Sequence, residues 1–223
     1  AHQVGSIYSS VYYFDAEFWD VHVPVFYGTV NFDPVDALSN MPEGVKQRLR
    51  SDEERTVEYV LHWADCFDFG VGYLDVAQSK TLNKFGLDML KGGYEELTSA
   101  ASLLGKSKFN PRAILDARMA LEMFMKSYAA MKGRLTEAEA KKIGHDLHAG
   151  LQKFLDVSGM QDIKAVSKHF GVYPEVHDRY KATKTNKAEQ WKGFHLAQSM
   201  GALVIREFSD NGAMTQIVKQ LKG

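Results

Sequence analysis

The chain has 223 residues, 45% of them hydrophobic and 25% charged, ordinary proportions for a globular protein with one sizeable core or two small ones. Lys plus Arg number 27 against 28 Asp plus Glu, which excludes a global positive field and leaves nucleic-acid binding to be argued from a local site. The single cysteine, Cys66, excludes an internal disulfide and a zinc site of paired cysteines, and fits a reducing cytoplasm. No apolar run approaches the ~18 residues that span a bilayer, so no membrane insertion is expected.

From Tyr8 to Phe32 the chain is dense in Tyr, Phe, Trp and Val, and Val21, Val23, Val25 and Tyr27 alternate with Asp20, His22, Pro24 and Phe26, which predicts strands in a small antiparallel hairpin. Pro24 has no amide hydrogen, so its strand must lie at an edge or carry a bulge there. "DPVDAL" sets Asp33 as a cap with Pro34 in the first turn, and "MPEGVKQRLR" repeats that logic with Pro42, so short helices follow. In "SDEE", Ser51 and Glu54 read as a capping box that starts a helix with Val57, Val60, Leu61 and Ala64 on its apolar face.

Beyond a boundary near residue 80 the pattern is helical. A first stripe from Leu82 to Leu104 ends at Gly105, with Gly92 and Gly93 as sites of a bend. A second helix opens at Pro111, turns Ile114, Leu121, Phe124, Met125 and Tyr128 to a core and stops at Gly133. A third spans about His145 to Leu155, a shorter one covers "MQDIKAVSKHF", and a last long helix runs through "KAEQWKGFHLAQSMGALVIREF". The expected organisation is an N-terminal segment over 1–80 with a hairpin and short helices, a helical bundle over 81–210 and a tail over 211–223.

"ARMALEMFMKSYAA", then "GHDLHAGL", then a loop with "RY" before a final long helix, resembles the HEPN superfamily of small antiparallel helical bundles over about residues 81–210. The resemblance implies several possible roles: metal-independent ribonucleases of toxin and defence systems, nucleotide binders, or partners of a minimal nucleotidyltransferase or antitoxin, many of them homodimers. Its ribonuclease members carry an Arg followed a few residues later by a His, and this chain departs from that pattern. After Arg179 comes "YKATKTN", and neither Arg118 nor Arg206 has a His at that spacing. Arg55 and His62 match it outside the resembling region, a pairing that chance supplies in a chain with 8 His.

The candidate chemistry is therefore distributed. Arg118, Glu122 and Lys126 share a helix face at steps of four; they are either a helix-supporting surface ladder or, as the resemblance implies, a polar stripe beside a groove where Arg and Lys meet a phosphate. His145 and His148 lack an evident third metal ligand, and Asp146 reads as a helix cap; no metal and no cofactor are expected. "HDRYK" places His177, Arg179, Tyr180 and Lys181 in a loop which, with Lys184 and Lys187, is the densest basic stretch. The expectation is a nucleotide- or RNA-binding module without catalysis. The alternatives are a ribonuclease combining Arg118 or Arg179 with His145 or His177, and a protein-interaction scaffold.

Overall fold

Strands β1 (Ser6–Phe14) and β2 (Glu17–Pro24) pair antiparallel, with Phe14 opposite Glu17 and only Asp15 and Ala16 between them. The computed structural model describes residues 5–26, 30–106, 110–176, 185–212 and 214. Pairing slips between Ser6 and Tyr8 opposite Pro24 and Val23, which puts the irregularity where the missing proline amide demands it. Val21 and Val23 point into the core and His22 points out, as the alternation requires.

Asp33 caps a 3-10 turn over Pro34–Ala37 by accepting the Val35 amide, and α1 (Glu43–Ser51) starts one residue after Pro42. Helix α2 (Glu53–Ala77) is capped by Asp52, whose side chain accepts the Arg55 amide, rather than by a Ser51–Glu54 box. Ser51 belongs to the last turn of α1 and donates to Gln47 O, so it is not available as a cap. The buried face of α2 is also rotated from the one expected: Tyr59, His62, Cys66 and Phe69 are inside, whereas Val57 and Leu61 are half exposed. Its hydrophobic residues surround more than one face, so periodicity alone had two solutions.

Helices α3 (Lys84–Leu104) and α4 (Ala113–Met131) form an antiparallel pair. α3 runs without interruption through Gly92 and Gly93. A Cβ on Gly93 would lie 2.7 Å from the Phe124 ring, so glycine serves close helix contact instead. The Gly105 cap has φ −70°, in the right-handed region, and its lack of a Cβ leaves room for Asp20. Gly133, by contrast, stops the α4 end at φ +69°, which glycine adopts without steric cost.

α5 (Glu137–Ile143) and α6 (Leu147–Ser158) meet at a tight turn over α4; a 3-10 segment (Gln161–Val172) follows, and α7 (Lys187–Phe208) closes the bundle. α4 is the central element, buried almost all round. Burial of a side chain such as Phe124 stabilises by roughly 1.5–3 kcal/mol. One continuous core links this bundle with the hairpin: Tyr8 meets Phe69 at 5.2 Å, Tyr12 meets Trp191 at 5.2 Å, and Tyr8 Oη donates to Gln198 Oε1 at 2.7 Å. The protein is thus mainly helical, preceded by a two-stranded antiparallel hairpin. Among the described residues no helix is long and apolar enough to cross a membrane.

Candidate functional site

The Arg118–Glu122–Lys126 ladder is not a surface feature. The three residues are 4%, 3% and 4% exposed, although their sequence spacing is that of a solvated charge face. They are buried because the α5–α6 turn lies across them. Gly144 takes φ +58° at that turn, and the chain there presents carbonyls with no helical partner. Lys126 Nζ donates to Gly144 O, and Arg118 Nη2 donates to His145 O at 2.7 Å. The two cations thus cap the C-terminal end of α5, where the helix dipole favours positive charge.

Glu122 holds this arrangement from the middle. Its Oε1 accepts from Lys126 Nζ at 2.7 Å, and its Oε2 accepts from His145 Nδ1 at 3.1 Å. Arg118 Nη1 lies 3.7 Å from the same Oε2, beyond hydrogen-bond distance, and is buried with no hydrogen-bond partner. Two cations therefore share one buried carboxylate. The other acid near Arg118 is Glu175, whose Oε2 lies 3.8 Å from Nη2 and whose side chain is 68% exposed, so it is screened by water. Net positive charge at a buried position is costly unless an anion approaches it.

Such an approach is open. A cleft of about 1090 Å³ is lined by Arg118, His145, Asp146, His148, Phe170, Tyr173 and Glu175. Asp146 caps α6 by accepting the His148 and Ala149 amides, as its sequence position implied. The wall opposite α4 is the 3-10 segment, anchored by Tyr173 Oη donating to Gly193 O at 2.7 Å; Phe170 packs edge-on to His148 at 5.1 Å. The wall is not formed by α7. His145 is 56% exposed on its side chain. Because the Glu122 carboxylate can only accept, the shared proton belongs to Nδ1, and a neutral His145 ring keeps its lone pair on Nε2.

The structure therefore brings together Arg118, Glu122, Lys126 and His145, four of the sequence candidates, across 27 residues of chain. His177, Arg179, Tyr180, Lys181 and Lys184 lie outside the described residues. Lys187 is turned to the hairpin, where it pairs with Glu17 at 2.5 Å. Arg55 and His62 are separated: Arg55 is on the surface with Glu58 at 2.6 Å, while His62 is fully buried and its Nε2 donates to Val11 O at 3.0 Å. Burial also pushes the Cys66 thiol up, away from a reactive thiolate. Glu175, Phe170 and Tyr173 were not singled out in the sequence, and only their proximity to the "HDRYK" loop pointed to them.

Among the described residues no group of three or more His, Cys, Asp and Glu side chains is placed to hold a metal ion. The arrangement offers a cationic floor, an oriented imidazole and an aromatic wall, the elements of a site for an anionic group joined to a flat or apolar one. No family model, curated protein or solved structure matches this chain.

Proposed function

We propose that this chain is a HEPN-like module that binds the phosphate of a nucleotide or RNA in the Arg118–His145 cleft without turning it over. The observation that carries the reading is the buried surplus of positive charge under an open cleft: Arg118 and Lys126 share Glu122, and Arg118 Nη1 has no hydrogen-bond partner. A phosphate in the cleft supplies the missing charge. Phe170 and His148 offer planar surfaces for a base, which suits an unpaired nucleotide better than a duplex. The order of helices and the "GHDLH" turn over the ladder support the HEPN comparison.

One observation favours a second reading, a metal-independent ribonuclease. His145 is oriented by a buried carboxylate through one ring nitrogen, the arrangement a general base requires. A single experiment separates the two: incubation with a mixed pool of labelled RNAs in chelator, reading cleavage and filter retention for the wild type and His145→Ala. The binding module predicts retention that weakens steeply with salt, at least several-fold weaker binding in the variant, and no cleavage. Cleavage abolished in His145→Ala would establish the ribonuclease, and absence of both signals for RNA and for mononucleotides overturns both readings.

A further inference from the structure

Glu175 reaches the ionic floor because the chain before it is pinned. Tyr173 packs its ring on Gly193, where a Cβ would lie 2.9 Å from Tyr173 Cε1, and its hydroxyl donates to Gly193 O at 2.7 Å. Pro174 fixes its own φ and holds the residue before it extended, with Tyr173 at φ −90° and ψ 134°. Buried contacts thus place the start of Glu175, while its side chain stays 68% exposed at the rim of the cleft.

Arg118 Nη2 carries two hydrogens, and one of them goes to His145 O. Among the described residues no acceptor lies within hydrogen-bond distance of the other. Glu175 Oε2 is 3.8 Å from Nη2, about 1 Å beyond the length of a charge-assisted hydrogen bond. An ion pair this long and this exposed contributes little, so the carboxylate leaves Nη2 at small cost. Its charge still matters: with His145 neutral, Arg118 and Lys126 against Glu122 leave one positive charge under the cleft, and Glu175 offsets it from the rim.

We propose that Glu175 is a built-in competitor for the anion, standing in for the ligand's phosphate beside Arg118 and leaving when a phosphate enters. This inference rests on the phosphate-binding reading of the cleft. A carboxylate and a phosphate both offer a guanidinium oxygen acceptors and negative charge, so they exclude each other at Nη2. Being tethered, the carboxylate is present at an effective concentration that a small free anion does not match in dilute solution. A ligand displaces it by holding on elsewhere as well, through a base against Phe170 and His148. Glu175 therefore lowers the affinity for every anion and restricts occupancy to phosphates joined to such a planar group.

The test is binding of a short labelled single-stranded oligouridylate to the full-length wild type, Glu175→Gln and Asp162→Asn, read by fluorescence anisotropy at low salt. Asp162 is an exposed acid of the same 3-10 segment that does not line the cleft, so its variant removes the same charge elsewhere. The expected result is about three- to tenfold tighter binding for Glu175→Gln and less than about twofold change for Asp162→Asn, with both urea midpoints near that of the wild type. A wild type that fails to bind beside a Glu175→Gln variant that binds also supports the proposal. Equal effects in the two variants, or weaker binding in Glu175→Gln, overturn it while leaving the phosphate reading in place. Binding by none of the three proteins overturns the phosphate reading, and this inference with it.

Discussion

Among the described residues two ionic clusters, one buried and one partly buried, brace this bundle, and they differ in what closes them. On α4, two cations share Glu122, and the far side opens to a cleft through the exposed ring of His145. Between α2 and α7 the balance is reversed: Asp65 and Asp68 hold Arg206 at 2.8 and 2.6 Å, and the chain itself closes the site. Ser199 Oγ donates to Asp65 at 2.7 Å, and the Met214 amide donates to Asp68. Both clusters join helices, so cohesion explains both. Only the first leaves buried charge facing a space that a ligand can enter, and that difference, rather than the presence of ions, marks the candidate site.

The contrast makes its largest prediction on removal of a central carboxylate. Glu122→Ala leaves Lys126 buried without a carboxylate and Arg118 with only the water-screened Glu175, and is expected to cost about 3–5 kcal/mol. Asp68→Ala leaves Arg206 with Asp65 and should cost less, about 1–3 kcal/mol. Urea unfolding midpoints read both, and equal shifts would remove the asymmetry between the clusters.

Acid should act on the closed side. His62 and His195 face each other there, ring centroids 5.3 Å apart, with Trp191 stacked on His195 at 4.9 Å. Burial pulls both imidazoles below their ordinary range, and for His62 the neighbouring His195 adds to the effect. The unfolded chain therefore takes up protons first as pH falls. The stability these groups contribute is complete above the unfolded value near 6.5 and is lost on acidification from there toward their depressed folded values, at up to about 1.4 kcal/mol per pH unit for each. Asp65 acts with the opposite sign, since burial raises its carboxyl and its contribution declines as pH rises through that raised value. Melting temperatures from pH 7.5 to 5.5 should fall in the wild type, and His62→Gln/His195→Gln should flatten that slope. An unchanged slope would locate the acid response elsewhere.

At the lip of the cleft the expected effect is smaller. Asp146→Ala removes the acceptor of the His148 and Ala149 amides and should cost about 1 kcal/mol in chemical unfolding. Because Arg118 and His145 keep their contacts with Glu122, RNA retention should persist in this variant. Its loss together with the cap would mean that the α6 entry, and not the ionic floor, makes the site.

How much of this was legible depends on where the determining contact lies. The Asp33 and Asp146 caps, the Pro24 irregularity and the order of long helices follow from local chemistry and were readable residue by residue. The buried face of α2 was not, because Val57, Val60 and Leu61 compete with Tyr59, His62, Cys66 and Phe69, and the hairpin decides between them by packing Tyr8 and Tyr12 against one side. Arg118, Glu122 and Lys126 were legible as a set but not as buried. Their spacing is that of a surface ladder, and the fact that hides them is a turn some 20 residues downstream with Gly144 at positive φ. Glu175 carried no local signal, since its relevance arises only from closeness to Arg118.

The smallest effect tests whether stability and site are separable. Asp15 and Ala16 both sit at positive φ, +55° and +62°, in the two-residue connection of the hairpin. That connection favours glycine at its second position because a Cβ is strained there. Ala16→Gly relieves the strain but gives the unfolded chain more freedom, so the net gain should be about 0.5 kcal/mol. The position belongs to neither ionic cluster, so the gain should be the same in the wild type and in Glu122→Ala, within the few tenths of a kcal/mol expected of independent sites. A gain that disappears in Glu122→Ala would show the hairpin and the α4 cluster to be energetically coupled through the shared core. The open cluster could then no longer be treated as a unit distinct from the rest of the bundle.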